Sequence, residues 1–482
     1  MTVDRDLVQA LAAVVGRDHV LTEPEQLYVY SFDGTIERAM PRCVVLPGDA
    51  RETAEAVRVC RRFGVPVTPR GAGTGLSGGA VPAGSAVVVS TARMNRILAI
   101  DPVDRVAVVQ PGVTNLAVSE AAAPYGLFYA PDPSSQRACT VGGNIAENAG
   151  GPHCLALGVT TNHVLGVEVV TAAGDTVWLG GRCDEAPGFD LRGAFIGSEG
   201  TLGIVTAAVL RLLPRPPSVV TILAAFFDVA SASQAVAAII GAGVVPAALE
   251  MMDRNAIRAV EAALACGYPP DAGAVLLAEV EGSEATTDDL AARIEERCRA
   301  YGALELRRAA DPRERELLWR GRKGAIGALG NLAPNYYILD GVVPRSKLPE
   351  AMRRVEEVAA AHGLTVANVF HAGDGNLHPC LVFDEREPGT HERVLQAGAE
   401  IIKACIELGG ALTGEHGVGL EKREFFRWVF SDIDIENMAR LRAVFGNDGS
   451  FNPCKALPTG TGCGEMAHRP FALARAGSDA YI

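Results

Sequence analysis

Apolar positions in residues 43–113 group into short runs separated by turn residues, and one longer stretch has helical spacing. Asp49 followed by Glu52 is a helix-capping signal and Gly64 is a typical stop, so we predict a helix over 51–63. Strands are predicted at 43–47, 65–68, 86–90 and 106–110, with a hairpin over 164–179 that turns at 173–175. This pattern favours an α+β domain with a mixed sheet, which ends where three prolines crowd residues 214–217.

The pattern restarts near residue 218 and again alternates strands with helices. We predict strands at 219–227, 244–251, 274–280 and 336–340, and helices at 231–240, 286–301, 349–362, 392–408 and 433–445. The alternation favours a second α+β domain, with a sheet that carries helices on one face and a largely helical C-terminal segment. We therefore divide the chain into residues 1–217, residues 218–458 and a loosely docked tail, 459–482.

Composition and charge exclude several classes of protein. The 482 residues suffice for about three structural units, and 48 % hydrophobic with 21 % charged residues is typical of a compact globular protein. The net charge of -13 disfavours binding to nucleic acid or to an anionic membrane surface. The eleven cysteines include no Cys-x-x-Cys pair, which favours reduced thiols over a disulfide framework or an iron-sulfur cluster.

No targeting or membrane segment is expected. The densest apolar stretch, residues 219–227, ends at Asp228 and is well short of the ~20 residues of a bilayer helix. Asp4 and Asp6 stand where a signal peptide has a basic start and an apolar run. We expect a cytoplasmic protein, and peripheral membrane attachment through a partner stays open.

The sharpest motif is a loop with the sequence PRGAGTGLSGG at residues 69–79. Residues 73–78 match the Gly-x-Gly-x-x-Gly fingerprint of nicotinamide-binding folds, but that turn must open a helix. Here Pro82 and a predicted strand follow, so the nicotinamide interpretation fails. Unhindered backbone N–H groups can still surround a diphosphate, and a merely flexible loop is the alternative.

Two further segments are rich in small residues. They are residues 131–151, which contain the sequence CTVGGNIAENAGG, and residues 197–205, which read GSEGTLGIV. Three such segments in one domain indicate a large ligand that is contacted along its length. A dinucleotide fits this description better than a small metabolite.

These segments resemble the flavoproteins of the vanillyl-alcohol oxidase type, and the resemblance extends over roughly residues 28–458. It implies an FAD-binding domain of two α+β subdomains (PCMH type) in residues 1–217 and a substrate, or cap, domain in residues 218–458. In that family the first loop holds the pyrophosphate, the second lies along the flavin and the third reaches the adenosine half. The implied FAD contacts are Pro69, Arg70, Gly71, Ala72, Gly73, Thr74, Gly75, Leu76, Ser77, Gly78, Pro131, Asp132, Ser135, Cys139, Thr140, Gly142, Gly143, Asn144, Ala146, Glu199, Gly203, Ile204 and Asn452.

Two of these positions carry further implications. Members with covalent flavin often have His where Thr74 stands, so the resemblance implies non-covalent FAD. Asn452 would touch the flavin edge, although it could equally form a turn.

Reactive side chains concentrate in two segments of the second half. The sequence HAGDGNLH at residues 371–378 places His371 and His378 seven residues apart with two glycines between them. With a carboxylate from a distant segment, such as Glu415, two imidazoles can complete a three-ligand metal site that keeps an open position. Hydrogen-bonded loop histidines are the alternative, and the spacing does not match a zincin motif.

These segments also resemble one branch of the family, the FAD-linked D-2-hydroxyacid dehydrogenases, most closely the glycolate oxidase catalytic subunits and D-lactate dehydrogenases. The match lies in residues 368–379 (NVFHAGDGNLHP), residues 383–384 and residues 387–389. It implies three metal ligands, a base, an arginine for the substrate carboxylate three residues after Trp319 and an asparagine that orients substrate. In this sequence these are His371, His378 and Glu415 for the metal, His416 as the base, Arg322 and Asn376.

Arg322 and Asn376 also have purely structural interpretations. Arg322 lies in the basic run 320–323 and could be a surface residue, and Asn376 could be a turn former. The implied metal is Zn²⁺ first, with Mn²⁺ or Fe²⁺ also compatible with His and Glu ligands.

The expected reaction is oxidation of a 2-hydroxy acid to the 2-oxo acid. His416 would remove the hydroxyl proton of a metal-bound substrate that Arg322 orients, and hydride would pass to flavin N5. Hydroxyglutarate-specific relatives have Lys and Asn where this chain has Ile338 and Cys380, which favours glycolate or D-lactate.

Three alternatives stay open: a D-2-hydroxyglutarate dehydrogenase, a non-redox FAD enzyme of the alkyl-dihydroxyacetone-phosphate synthase type, and a non-catalytic flavin subunit. The electron acceptor would be external: an iron-sulfur subunit, an electron-transfer flavoprotein, a quinone or oxygen. A homodimer is also compatible with the sequence.

Overall fold

The computed structural model describes residues 5–183 and 188–458, so the predicted tail lies outside the described residues. The first part of the chain forms a four-stranded sheet of order β1-β2-β4-β3, in which β4 pairs in parallel with β2 and β3. Its elements are α1 (Arg5–Val15), β1 (Val20–Leu21), α2 (Pro24–Tyr28), β2 (Cys43–Val45), α3 (Ala50–Arg62), β3 (Val67–Arg70) and β4 (Val87–Ser90). The predicted helix is confirmed as α3, because the Asp49 side chain accepts a hydrogen bond from the Glu52 backbone N–H.

The next part forms a separate five-stranded antiparallel sheet of order β5-β6-β10-β8-β9. Its elements are β5 (Ile97–Asp101), β6 (Val106–Val109), α4 (Asn115–Ala122), β7 (Leu127–Phe128), α5 (Val141–Glu147), α6 (Cys154–Leu157), β8 (Val164–Thr171), β9 (Thr176–Gly180), α7 (Leu191–Phe195), β10 (Gly203–Arg211) and β11 (Leu213–Pro214). The predicted hairpin is confirmed as β8 and β9.

The pattern predicted a mixed sheet, and the four-stranded sheet is mixed, but the strands from residue 97 onward form a second sheet with its own core. Residues of β2, β3 and β4 pack with α1 and α3, whereas residues of β6, β8 and β10 pack with α4, α5 and α7. The first half of the described chain therefore contains two α+β subdomains, as the resemblance implied.

The second half is built on a seven-stranded antiparallel sheet of order β15-β12-β14-β13-β18-β20-β16. Its elements are β12 (Ser218–Phe226), α8 (Val229–Gly241), β13 (Ala248–Asp253), α9 (Arg254–Leu264), β14 (Ala274–Gly282), α10 (Glu284–Ala300), β15 (Glu305–Arg308), α11 (Pro312–Ala328), β16 (Asn335–Ile338), β17 (Gly341–Val342), α12 (Leu348–Ala361), β18 (Thr365–Phe370), β19 (Asn376–Leu377), β20 (Pro379–Phe383), α13 (Thr390–Glu407) and α14 (Asp432–Val444). The predicted strand 244–251 begins later, at Ala248, beyond Pro246.

Helices cover both faces of this sheet, so the expectation of a single covered face is wrong. One face packs against α8, α10 and α12, and the other packs against α9 and α11. The reason lies in the strands themselves, since residues 221–226 and 274–280 are buried at every position. A strand that is apolar at consecutive positions needs cover on both faces.

Two elements that the pattern did not predict matter for the site. Helix α11 holds Trp319 and Arg322, and the glycine-containing segment after Thr140 forms α5. The final hundred residues are less helical than expected, since α13 and α14 are separated by a long loop that contains Glu415 and His416.

The end of the described chain returns to the first half. Phe445 joins the core of the five-stranded sheet and Phe451 joins that of the four-stranded sheet. Among the described cysteines, nine are free thiols as predicted, but Cys454 is disulfide-bonded. Among the described helices, none is long and apolar enough to cross a bilayer.

Candidate functional site

One large cavity, of about 380 Å³, brings together the glycine segments of the first half and the reactive side chains of the second half. Of the predicted FAD contacts, the residues that line it are Pro69, Arg70, Gly71, Ala72, Gly73, Thr74, Gly75, Leu76, Ser135, Cys139, Thr140, Gly142, Gly143, Asn144, Ala146, Glu199, Gly203 and Ile204. Of the predicted catalytic and metal residues, the lining includes Arg322, His371, His378, Glu415 and His416. A volume of this size is typical of a ligand site.

Six of the predicted residues do not line the cavity: Ser77, Gly78, Pro131, Asp132, Asn376 and Asn452. Asn452 donates through Nδ2 to the carbonyl oxygens of Gly79 and Glu199, so it joins the first and third glycine segments. Asn376 lies in β19 and its carbonyl accepts from the His371 N–H, which places it in the turn between the two histidines.

The first glycine loop is supported by an arginine beneath it. Arg70 is buried, and its guanidinium donates to the carbonyl oxygens of Phe32, Ala80 and Val29 at 2.8, 3.3 and 3.3 Å. Gly73 has a φ of +71°, and a Cβ there would overlap this guanidinium. On the open side, a Cβ at Gly75 would meet no atom within 4 Å. Bare backbone therefore faces the cavity, as a diphosphate of FAD would require.

The third segment connects the two halves of the molecule. The Glu199 carboxylate accepts from the N–H groups of Val418 and Gly419 at 2.7 and 2.6 Å. These residues lie two and three positions after His416, so Glu199 fixes the end of that loop against the first half of the molecule.

The two histidines of the 371–378 segment point to one centre. Strand β18 ends at Phe370 and a tight turn leads into β19, with Gly375 at φ +81°. A Cβ at Gly375 would overlap the Val343 carbonyl oxygen, so this close turn requires glycine. As a result the His371 and His378 rings lie 5.1 Å apart at 84°.

Glu415 completes the group. Its Oε1 lies 3.2 Å from His371 Nε2 and 3.4 Å from His378 Nε2, and the three ligand atoms all lie within 4.8 Å of one another. His378 Nε2 has no hydrogen-bond partner among the described residues. Burial acts to raise the pKa of the Glu415 carboxyl, but the three neighbouring histidines have the larger combined effect and lower this pKa to about 2. An ionised carboxylate and two imidazoles, one with an unpartnered nitrogen, fit a divalent transition metal.

The loop that holds Glu415 is organised by Asp340, which the sequence analysis did not identify as a site residue. Its carboxylate is fully buried and accepts from the N–H groups of Gly414, Glu415 and His416 at 3.0, 3.2 and 3.0 Å. Lys422 Nζ donates to it at 3.0 Å. Against the effect of burial, Lys422, His416 and His378 hold the pKa of Asp340 well below its usual range.

His416 stacks on His378 with ring centroids 4.7 Å apart at 12°. Its Nδ1 is buried without a hydrogen-bond partner in the described part of the chain. Burial lowers the pKa of His416 to about 4, although the Asp340 carboxylate acts to raise it. The ring is therefore neutral at pH 7. A neutral imidazole with a free nitrogen can accept a proton.

Arg322 is 3 % exposed, so it is not the surface arginine of the alternative interpretation. It extends from α11, and its Nη2 lies 2.5 Å from Glu250 Oε2 in a close ion pair. Its Nε has no hydrogen-bond acceptor within the described residues. Glu250 also contacts His371, and its only signal in the sequence is an acid inside the apolar run 247–252.

Comparison with known proteins identifies the family. The pattern described as FAD linked oxidases, C-terminal domain, matches residues 215–456, and the pattern of an FAD binding domain matches residues 41–180. The glycolate oxidase subunit GlcD of Escherichia coli K12 is 44 % identical over 97 % of this chain and 96 % of that protein. The D-lactate dehydrogenase of Anaerostipes hadrus is 32 % identical over 87 % of this chain and 90 % of that protein.

Solved structures show the same fold. The 4-ethylphenol oxidase from Gulosibacter chungangensis has a TM-score of 0.79 at 18 % identity and covers 94 % of this chain and 97 % of its own. For p-cresol methylhydroxylase the TM-score is 0.76 at 18 % identity, and the match covers 95 % of this chain and 98 % of that protein. These findings confirm the predicted vanillyl-alcohol oxidase type of fold and the FAD cofactor. The chain belongs to the FAD-linked oxidases of this superfamily and is an FAD-dependent oxidoreductase.

Proposed function

We propose that this protein oxidises a small D-2-hydroxy acid, glycolate or D-lactate, to the corresponding 2-oxo acid. The observation that carries the proposal is the single cavity in which the glycine segments meet Arg322, His416 and the group of His371, His378 and Glu415. The names of the relatives, glycolate oxidase subunit GlcD and D-lactate dehydrogenase, support the same substrate class.

The FAD is held without a covalent bond in this proposal. Thr74 lines the cavity at the position where covalently linked members of the superfamily carry histidine, and a threonine hydroxyl offers no such link. When bound, the flavin supplies the acceptor for the hydride of the substrate.

His371, His378 and Glu415 hold one divalent metal, Zn²⁺ first, with Mn²⁺ or Fe²⁺ as alternatives. The support is the donor set, with its close grouping and its unpartnered His378 Nε2. When bound, the ion supplies Lewis-acid polarisation of the substrate hydroxyl.

His416 and Arg322 act directly on the substrate. Neutral His416 accepts the hydroxyl proton, because its buried ring has an unpartnered nitrogen and a low pKa. Arg322 orients the carboxylate through Nε, which lacks an acceptor within the described residues. Asn376 acts only indirectly, since it lies in the turn between the two histidines.

The substrate is small because the cavity offers no partner for a second carboxylate at the two positions that distinguish the hydroxyglutarate-specific relatives. Ile338 lines the cavity, and the Cys380 side chain is fully buried. The electrons pass to a separate acceptor, such as an iron-sulfur subunit, an electron-transfer flavoprotein or a quinone. The relative GlcD is named as a subunit of glycolate oxidase, which supports a partner protein.

The test is an anaerobic visible spectrum of the purified protein, with glycolate, D-lactate, L-lactate and D-2-hydroxyglutarate added in turn. Rapid bleaching of the flavin by glycolate or D-lactate is expected. Bleaching by D-2-hydroxyglutarate alone would replace the substrate, and a yellow protein that no acid bleaches would contradict a dehydrogenase and favour the non-redox or non-catalytic alternatives.

A further inference from the structure

One buried carboxylate contacts both the metal-ligand group and the arginine of the proposed site. Glu250 lies in β13 and is 1 % exposed. Both of its oxygens lie 2.8 Å from His371 Nδ1, and Oε2 also lies 2.5 Å from Arg322 Nη2. No role was assigned to this residue by the sequence analysis.

The sheet register explains why these three side chains meet. Strands β13 and β18 pair antiparallel, with Met252 opposite Val369 and Met251 opposite Phe370. Continuing the register by one residue places Glu250 opposite His371, on the same face of the sheet as Met252. That face is covered by α11, from which Arg322 extends.

The geometry assigns a tautomer to His371. A carboxylate accepts hydrogen bonds, so the Nδ1 that faces Glu250 carries the ring proton. Nε2 faces the Glu415 carboxylate at 3.2 Å, and a metal ion held between these two ligand atoms would take the Nε2 lone pair while Nδ1 keeps its proton. A carboxylate behind a metal-bound imidazole fixes the orientation of the ring and raises its basicity.

The same carboxylate holds Arg322. Its contact to Nη2 keeps the guanidinium against β13 and balances the charge, while Nε has no hydrogen-bond acceptor in the described residues. Without Glu250 the arginine would be a buried cation with no counter-charge at this contact, which is costly.

We propose that Glu250 is a positioning residue that couples the two parts of the site, by setting the tautomer of His371 and the direction of Arg322. Metal affinity and affinity for the substrate carboxylate would then depend on one residue that touches neither metal nor substrate. This inference rests on the proposed function, because it takes His371 as a metal ligand and Arg322 as the carboxylate-binding group.

The test is Glu250→Gln in the FAD-loaded protein, with Zn²⁺ as the probe metal and glycolate and D-lactate as substrates. The metal-to-flavin ratio is measured against increasing chelator, and KM and kcat are measured separately. Loss of the charge behind His371 should weaken Zn²⁺ retention about 10–100-fold. It should also raise KM by about tenfold, since Arg322 loses the group that orients it, while the flavin content stays at the wild-type level.

A matched control lies on the same strand. Asp253 is buried too, and its carboxylate accepts from Ala256 N–H at 2.9 Å and from the Asn368 N–H and Nδ2 at 2.8 and 2.9 Å. Asp253→Asn should lower the melting temperature but leave Zn²⁺ retention and KM unchanged. If both variants lose Zn²⁺ retention and substrate affinity to the same extent, the proposal is overturned, because a disturbed β13 would then explain both losses.

Other outcomes separate the inference from the proposed function. A wild-type protein that retains no Zn²⁺ would contradict the proposed metal site and the inference with it. Wild-type Zn²⁺ retention and KM in Glu250→Gln would overturn the inference and leave the metal site standing. If that variant does not retain FAD, Glu250→Asp decides, with intermediate losses expected and wild-type values contradicting the proposal.

Discussion

Two largely buried groups of histidine and carboxylate side chains differ in one respect; one lines the cavity, and the other is joined to the cavity wall through Lys323. In one group, His153 Nδ1 lies 2.9 Å from Asp132 Oδ2 and His153 Nε2 lies 3.2 Å from Glu279 Oε1. Asp132 also binds Lys323 at 3.0 Å, and Glu279 accepts two hydrogen bonds from Arg315, at 2.9 and 2.7 Å. Every ring nitrogen of His153 is thus satisfied.

The group of His371, His378, Glu415 and His416 is different, because His378 Nε2 and His416 Nδ1 have no hydrogen-bond partner among the residues that are described. By residue type alone both groups could hold a metal, since His153, Glu279 and Glu281 also bring ligand atoms within 4.8 Å of one another. Unsatisfied buried nitrogens are costly unless a ligand uses them.

The two groups therefore have different roles in the structure. His153 and Asp132 come from the first half and Glu279, Arg315 and Lys323 from the second, so the satisfied group joins the halves. Burial alone would lower the pKa of His153, but Asp132 and Glu279 raise it to about 10, whereas burial lowers that of His416 to about 4. His153 is thus a paired cation, and His416 is a neutral ring with an unpartnered nitrogen.

The largest expected effect is on the rate of flavin reduction. His416→Ala should lower that rate by about 10²–10⁴-fold, because the general base is lost, and should leave FAD content and melting temperature unchanged. Stopped-flow reduction with glycolate and with D-lactate measures it. The control is His391→Ala, which removes a partly exposed histidine that pairs with Glu385 at 3.5 Å, and it should react like the wild type. An unchanged rate of flavin reduction in His416→Ala would contradict the assignment of His416 as the general base.

His153→Leu should act on stability instead. It leaves Asp132 and Glu279 without a shared partner, and we expect a loss of about 3 kcal/mol in the free energy of unfolding. Denaturant unfolding of the holoenzyme measures this loss. The control is His163→Leu, which removes one hydrogen bond, from ring Nε2 to the Leu157 carbonyl at 2.7 Å, and should cost roughly 1 kcal/mol. Equal losses in both variants would contradict the role of the His153 group as a connection between the halves.

Asp340→Asn tests whether the unsatisfied group depends on its supporting loop. Asparagine offers one acceptor oxygen, and its NH₂ group would face N–H donors that now bind Asp340. We expect Zn²⁺ retention and the rate of flavin reduction to fall about 10–100-fold. Asp253→Asn serves as the control for loss of a buried carboxylate, and a similar fall in that variant would contradict a specific role of Asp340.

The smallest effect is a pH dependence of stability. The pKa of His153 is raised from 6.5 to about 10 in the folded protein, so its contribution is fully present below pH 6.5 and is lost as pH rises through 10. The stability difference between wild type and His153→Leu should therefore shrink from pH 6.5 to 10. Parallel curves over that range would contradict the raised pKa.

Local patterns were enough to predict several elements. The cap at Asp49 predicted α3, because a capping bond involves residues three apart, and the turn at 173–175 predicted the β8–β9 hairpin. Helix α11 was missed, since Gly321 and Gly324 interrupt its helical pattern; packing overrides that preference, because Gly321 lies against Tyr268. Consecutive apolar residues in the strands of the large sheet indicated that both of its faces would be covered. The prediction nevertheless placed the helices on one face only.

For this protein the sequence by itself determined the parts that depend on neighbouring residues: the three glycine segments, the spacing of His371 and His378, and the family to which they belong. Only the tertiary structure decided which buried histidines are satisfied. The partners are distant along the chain: Glu250 and His371 are 121 positions apart, and His153 and Glu279 are 126 positions apart. Strand register and the packing of α11 bring such groups together, and neither follows from local spacing.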